Sequence, residues 1–224
     1  MHIHIAGTGH MARVLVAVSR GSGVSSSVWT DSAEGISDSV LVHVGSGRQF
    51  AEAVRWCGIT GTPFIQASTG QNGLLPTQPP CPLILAPNLA LSIVQFLEVL
   101  PRFAATFKDM GMAVEITESH QARKKSVAGT ALEFARILGV SASSIRSIRD
   151  PAEQKKLGVP AEYLDSHAYH WITFTSGESS IQFSTRVNGP QSYAVGALKV
   201  AEKLIARRDE FQNRIYSVQE VLAL

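Results

Sequence analysis

The chain has 224 residues, 45% of them hydrophobic and 17% charged, with a formal net charge of +2. That balance predicts one large or two small folded domains rather than a disordered chain, and it argues against a nucleic-acid binder, whose footprint is strongly basic. Two cysteines, Cys57 and Cys81, are too few for a disulfide framework and too far from any His/Cys cluster for zinc, so no metal is expected and a reducing cytoplasm is the expected compartment.

The first residues, MHIHIAGTGHMARVLVAV, carry no basic region ahead of their apolar stretch and do not read as a signal peptide. His2 to Ala6 reads as a strand, with His2 and His4 on its less buried side, and Met11 to Ser19 as a helix. Ser27 to Thr30 reads as a second strand ending at Asp31. Val40 to Val44 is a near-continuous apolar strand, which suits a parallel sheet buried on both faces. Gln49 to Cys57 reads as a helix, Phe64 to Ala67 as a fourth strand and Leu83 to Leu85 as a fifth. Alternation of strand and helix up to residue 88 predicts a right-handed parallel α/β unit. The segment LILAPNLALSIVQFLEVL comes nearest to the roughly 18 apolar residues of a membrane span. Pro87, Asn88, Gln95 and Glu98 interrupt it, so no membrane partner is expected.

Beyond Asn88 the pattern changes. A long helix is expected from Leu89 to about Met110, bent at Pro101, then a strand from Ala113 to Thr117 and a helix from Gly129 to Leu138. Residues 140–166 read as irregular. His170 to Phe174 and Ser180 to Val187 read as an antiparallel hairpin, and Ser192 to Arg208 as a helix. The expected division is a dinucleotide-binding domain over residues 1–88, with the tail 208–224 packing back on it, and an α+β domain with an open mixed sheet over residues 89–207.

AGTGHMA sets Gly7, Gly9 and Ala12 between a strand and a helix, the G-x-G-x-x-A spacing of a dinucleotide loop. Gly7 permits the turn, Gly9 admits a pyrophosphate to the helix N-terminus, and Ala12 allows close packing. His10 and Met11 lie in the same loop. Asp31, about 20 residues on, can bond the ribose hydroxyls and would repel a 2′-phosphate, which favours NADH over NADPH. An ordinary strand–turn–helix is the alternative. His43 and the Ser68-Thr69-Gly70 turn follow strand ends, where open parallel sheets bind ligands; turn chemistry alone would also explain them.

Four stretches together resemble the dihydrodipicolinate reductase family: AGTGHMA; QASTGQ, for that family's Gly-Thr-Thr-Gly turn; LAPNLALSI, with Ala86 and Asn88 in its Ala-Pro-Asn step; and ESHQARKKSVAGTA, for its Glu-x-His-His-x-x-Lys-x-Asp-Ala-Pro-Ser-Gly-Thr-Ala signature. The helix YAVGALKVAEKLI and the ending IYSVQEVLAL are also similar, so the resemblance covers nearly the whole chain. It implies a Rossmann-like cofactor domain, a homotetramer (or a homodimer) assembled through the second domain, and hydride transfer from NADH or NADPH to a cyclic unsaturated dicarboxylate, 4-hydroxy-tetrahydrodipicolinate, in lysine and diaminopimelate synthesis. By position, His120 matches the proton donor, Lys124 the catalytic lysine, and Gly129 and Thr130 the pair that binds a substrate carboxylate. Gln121 replaces the second histidine at the substrate. The Ser126-Val127-Ala128 step is one residue shorter than the family's, and Thr185 and Pro190 stand where a late His and Arg are usual, with Arg186 out of register.

The chemistry suits these residue types. Hydride addition leaves charge that a histidine can meet with a proton at neutral pH. Two carboxylates need fixed positive charge and N–H donors, which Lys124 and a helix start at Gly129-Thr130 can offer. A satisfied polar residue at a strand end is the alternative for His120. His167 and His170 read as structural, and Arg123 and Lys125 as solvent-facing. A divergent reductase of another cyclic imine or unsaturated acid, and a catalytically weak NAD(H)-binding protein, remain the competing functions.

Overall fold

The computed structural model describes residues 1–68 and 75–223, in two compact units: Met1–Leu91 with Gln191–Leu224, and Ser92–Pro190. The first is built on short strands whose side chains are apolar on both faces. β1 (His2–Ala6), β3 (Ser39–His43), β4 (Phe64–Gln66) and β5 (Leu83–Leu85) are almost wholly buried, as central parallel strands must be. With β2 (Ser25–Val28) and β10 (Ile215–Ser217) they form a six-stranded sheet in the order β10-β5-β4-β3-β1-β2, parallel throughout. The chain runs from β1 to β2 on one side and returns to β3 on the other. That reversal opens a crevice at the carboxyl ends of β1 and β3, the position where doubly wound sheets bind ligands.

The helices α1 (His10–Gly21), α2 (Phe50–Thr60), α6 (Gln191–Ala206) and α7 (Val218–Ala223) belong to this unit. Phe50, Val54, Trp56 and Cys57 of α2 pack with Leu41, Phe64 and Leu83 of the sheet. Gly61, in the left-handed region at φ 67°, ends α2. On the other side α6 packs against α1 and β3. There Gly196 crosses the chain so closely that a Cβ would lie 1.8 Å from the Leu89 carbonyl oxygen. The expected division is corrected by this contact: α6 falls with the first unit, not the second, because its buried face of Ala194, Ala197 and Ala201 is small enough to lie against it.

Two further expectations are corrected here. The second strand is Ser25–Val28, not Ser27 to Thr30; it is an edge strand, and its serines Ser25 and Ser27 bond the half-buried His2 ring at 2.9 Å. His4 is 1% exposed, not on an open side. Its ring lies edge-on to Trp56 with centroids 4.9 Å apart, because both faces of a central parallel strand are covered.

In the second unit, β6 (Ala113–His120), β7 (Arg146–Ile148), β8 (His167–Ser176) and β9 (Ser179–Asn188) form a mixed sheet in the order β7-β6-β8-β9. β6 and β7 are parallel; the other neighbours are antiparallel. The helices α3 (Leu91–Asp109) and α4 (Gly129–Leu138) supply the aromatic core, with Phe96 against Phe134 at 5.8 Å and Phe107 against Phe174 at 4.7 Å. Pro101 lies within α3. β6 extends three residues past the expected Thr117 and carries His120 at its end. Residues 140–166 are not irregular: β7 and α5 (Pro151–Lys156) lie there. Asp150 caps α5 through a 2.8 Å bond from Glu153 N, and Pro151 starts it.

Candidate functional site

The first unit offers space and backbone rather than charge. Gly7 has φ 134°, and a Cβ there would lie 2.8 Å from Gly45 N, so its glycine is required by the fold. Gly9 differs: among the described residues a Cβ would meet nothing within 4 Å. It stands at the N-cap of α1 with no side-chain cap and no acidic residue in the first turn, and His10 beside it is exposed. The start of α1 is therefore open to an anion, and these residues fit a nucleotide pyrophosphate. Beyond the ends of β3, β4 and β5 lies a cavity of about 270 Å³, lined among others by Met11, Val44, Ala67, Ala86, Pro87 and Tyr193. Its named lining side chains are apolar apart from Tyr193, whose hydroxyl pKa is raised by burial. A flat, weakly polar ring suits such a cavity.

Of the expected cofactor residues, Met11 and Ala86 line this cavity. Asp31 is exposed just past β2, and its turn is fixed by a Trp56 Nε1 bond to the Ala33 carbonyl at 2.8 Å. Asn88 is used locally, its Oδ1 accepting from Ala90 N at 2.9 Å, which shapes the start of α3. His43 is 0% exposed. Its ring is fully buried between Phe50 and Phe64, burial lowers its pKa, and its Nδ1 is 3.0 Å from Ser68 Oγ. Gln66 donates to the same hydroxyl at 2.9 Å, so His43 and Gln66 together hold Ser68. Thr69 and Gly70 lie outside the described residues. Tyr193 was missed because its helix reads as part of the other domain.

The second unit offers charge. Side chains alternate along β6, so Glu118 and His120 share one face. In register with Glu118 lie Ser147 of β7 and His170 of β8, and Arg149 follows Ser147 by two residues. These five side chains meet. Glu118, with no exposed side-chain surface, accepts from His120 Nδ1 at 2.7 Å, from Arg149 Nη2 at 2.5 Å and Nη1 at 3.0 Å, and from the Ser147 hydroxyl. Burial alone would raise its pKa; the bonds from His120, Arg149 and Ser147 outweigh burial and bring it to about 2. An ionised carboxylate can only accept, so the proton between the two groups sits on His120 Nδ1. Nε2 is then the nitrogen left for ligand chemistry, on a side chain 14% exposed.

His170 is 1% exposed and supports this face from behind. Its ring is 5.5 Å from that of His120 and 5.4 Å from that of Phe134, and its Nδ1 is 2.9 Å from Thr185 Oγ1. Burial lowers its pKa to about 3, so it is neutral and adds no competing charge. On the opposite face His167 bonds Ser119 Oγ at 2.8 Å. After His120 the chain turns, with Lys124 N bonded to the Gln121 carbonyl at 2.9 Å, so Lys124 sits in a loop rather than on a helix with His120. Gln121 and Lys124 are partly exposed in that loop. Gly129 then begins α4, whose N-cap Ala128 makes no side-chain cap hydrogen bond, and the dipole of a helix start suits a carboxylate. The sequence reasoning did not find Glu118, Ser147 or Arg149 as site residues. The Glu-x-His spacing on a strand was the signal available for Glu118; nothing local marked Arg149.

Comparison with known proteins places this geometry. Residues 92–222 match the family model described as dihydrodipicolinate reductase, C-terminus. A probable 4-hydroxy-tetrahydrodipicolinate reductase 1, chloroplastic, of Oryza sativa subsp. japonica is 32% identical over 77% of this chain and 54% of its own length. An Arabidopsis thaliana protein named 4-hydroxy-tetrahydrodipicolinate reductase 1, chloroplastic, is 32% identical over 72% of this chain and 51% of its own. The chain thus spans about half the length of the plant relatives it matches. A 4-hydroxy-tetrahydrodipicolinate reductase of Chromohalobacter salexigens is 23% identical over 87% of this chain and 78% of its own. In fold, the chain is similar to a dipicolinate-bound dihydrodipicolinate reductase from Paenisporosarcina sp. TG-14, with TM-score 0.66, 17% identity and 97% of both chains covered. The motifs, the paired sheets and these matches agree: the chain belongs to the dihydrodipicolinate reductase family.

Proposed function

We propose that the protein is a nicotinamide-dependent reductase. It transfers a hydride to 4-hydroxy-tetrahydrodipicolinate and gives tetrahydrodipicolinate, with the hydroxyl lost as water, in lysine and diaminopimelate synthesis. The observation that carries this reading is the Glu118–His120 pair, with Nδ1 engaged at 2.7 Å and Nε2 left for the substrate. The cofactor, when bound, supplies the hydride. His120 in its doubly protonated, imidazolium form gives from Nε2 the proton that balances it while Nδ1–H stays on Glu118, Lys124 meets a substrate carboxylate with fixed charge, and the start of α4 takes the same or the second carboxylate. Gln121 lies beside these groups and can donate a neutral hydrogen bond to the substrate. Gly7, Gly9, His10 and Met11 hold the pyrophosphate and adjoining ribose, Asp31 the adenine ribose, and Ala86, Asn88, Ser68 and, behind it, His43 the nicotinamide half.

Asp31 favours NADH, since a carboxylate there repels a 2′-phosphate. The reducing, cytoplasmic setting is supported by two buried free thiols, Cys57 and Cys81, and among the described residues no helix is long and apolar enough to cross a membrane. A homotetramer or homodimer is supported by the exposed outer strand β9, with Ile181 41% exposed; sedimentation velocity checks it. The test of function follows NADH or NADPH absorbance while the product of a dihydrodipicolinate synthase is supplied. Rapid, synthase-dependent oxidation is expected. Cofactor binding without turnover would favour a cofactor-binding protein instead.

A further inference from the structure

We propose that Arg149 and Glu118 act as a positioning pair that sets the proton-donating ring and the lysine-bearing loop together. The inference rests on the reading of His120 and Lys124 given above. Arg149 uses all three of its side-chain nitrogens. Nη1 and Nη2 fork onto Glu118 at 3.0 and 2.5 Å. Nε donates to the Lys124 carbonyl at 2.8 Å, and Nη2 also reaches the Ser126 carbonyl at 3.2 Å. One guanidinium therefore ties the strand carrying Glu118 and His120 to the loop carrying Lys124. A planar fork can do this and a lysine ammonium cannot.

The segment that supplies Arg149 also holds His120 a second way. Asp150 and Pro151 start α5 directly after Arg149, and one turn later Gln154 donates from Nε2 to the His120 carbonyl at 2.7 Å and to the Ile148 carbonyl at 3.2 Å. Ring and backbone of His120 are thus both fixed from the β7–α5 segment. The charged and titratable groups facing His120 are Glu118 on its own strand, Arg149 after β7, and His170 and His167 on β8. Both β8 histidines have pKa values lowered by burial, which leaves Glu118 and Arg149 as the charges that act on the ring near neutral pH. A purely structural ion pair would need neither the loop carbonyls nor the ring nitrogen; here Arg149 Nε and Nη2 reach the Lys124 and Ser126 carbonyls and Glu118 Oε2 takes the ring Nδ1, while Nη1 also bonds the Ile148 carbonyl and Oε1 the Ser147 hydroxyl.

The test compares wild type with Glu118→Gln, Glu118→Asp, Arg149→Lys and, as reference, His120→Gln. Turnover, KM values, the pH–rate profile and the ¹⁵N chemical shifts of the His120 ring are measured. Glu118→Gln is expected to lower kcat about 10–100-fold with the cofactor KM unchanged. It should move the falling, basic limb of the pH–rate profile to lower pH and move ring-proton occupancy away from Nδ1. Glu118→Asp should restore part of both. Arg149→Lys should raise the KM of the dicarboxylate substrate about tenfold, a loss of roughly one charge-assisted hydrogen bond from a well-held loop. Wild-type kcat, profile and ring shifts in Glu118→Gln and Arg149→Lys, alongside lost turnover in His120→Gln, would overturn the positioning role. Retained turnover in His120→Gln would overturn the functional reading instead, and the ring shifts still decide the positioning. If Glu118→Gln does not fold, Arg149→Lys and Glu118→Asp carry the same readouts.

Discussion

The two units prepare for a ligand in opposite ways. At the strand ends of the first, the useful features are absences: no side chain on Gly9, no cap on α1, apolar walls around a 270 Å³ cavity. On the corresponding face of the second, five polar or charged side chains converge, and the central one, Glu118, has no exposed surface. Backbone donors and empty space cost little to keep and tolerate change at the surrounding side chains. A buried carboxylate is stable only while its partners are present, since an uncompensated buried charge is expensive. The first unit should therefore break sterically, and the second electrostatically.

The largest effect is expected at the charged face. In the proposed reaction His120→Gln removes the proton donor, so it should lower turnover about 10²–10⁴-fold, with the folded state intact by circular dichroism. Next comes a steric break in the first unit. Gly196→Ala places a Cβ 1.8 Å from the Leu89 carbonyl oxygen; the backbone must move, at about 1–3 kcal/mol. A clearly lower thermal midpoint is expected. An unchanged midpoint would show that α6 is not held where the structure places it.

The first unit was easier to read from sequence than the second, and the reason is physical. Its strands are apolar runs and its loop is marked by glycines whose spacing is local, so the parallel sheet and the glycine turn between β1 and α1 are legible in the sequence. Alternation marks β6 only as far as Thr117, and the polar residues Glu118, Ser119 and His120 carry no such signal although they lie in the strand. They are inside it because Arg149, Ser147 and His167, 28 or more residues away in sequence, satisfy them. β7 has three residues and no alternation to detect. His4 was misplaced because alternation with Ile3 and Ile5 suggested an open face, whereas the strand is covered on both sides. Tyr193 was missed for a topological reason: its helix returns to the first unit.

His4 and His170 supply a smaller test of the same contrast. Burial lowers their pKa values from 6.5 to about 4 and about 3, so both are neutral when folded and take up a proton when unfolded below 6.5. Their contribution is fully present above pH 6.5 and is lost as pH falls toward those lower values. Glu118, lowered from 4.5 to about 2, adds a loss over the more acidic window between those two values. Urea midpoints should therefore fall steadily from pH 7 to pH 4. His4→Phe should reduce that slope without loss at pH 7, because neither ring nitrogen of His4 has a partner to lose. A slope equal to wild type would contradict a neutral, buried His4.

The smallest effect concerns cofactor choice. Asp31 is exposed, so solvent weakens its field, and Asp31→Ser should shift the NADH-to-NADPH affinity ratio about tenfold toward NADPH. Fluorescence titration with each cofactor measures it; an unchanged ratio would place the 2′ position away from Asp31.

The division of labour between the two units is tested most directly by one paired measurement on His120→Gln: cofactor dissociation constant and turnover in the same preparation. An unchanged dissociation constant with turnover reduced at least about a hundredfold is the predicted result. Retained turnover, or cofactor binding lost together with it, would contradict the assignment of proton donation to His120 and of cofactor binding to the first unit.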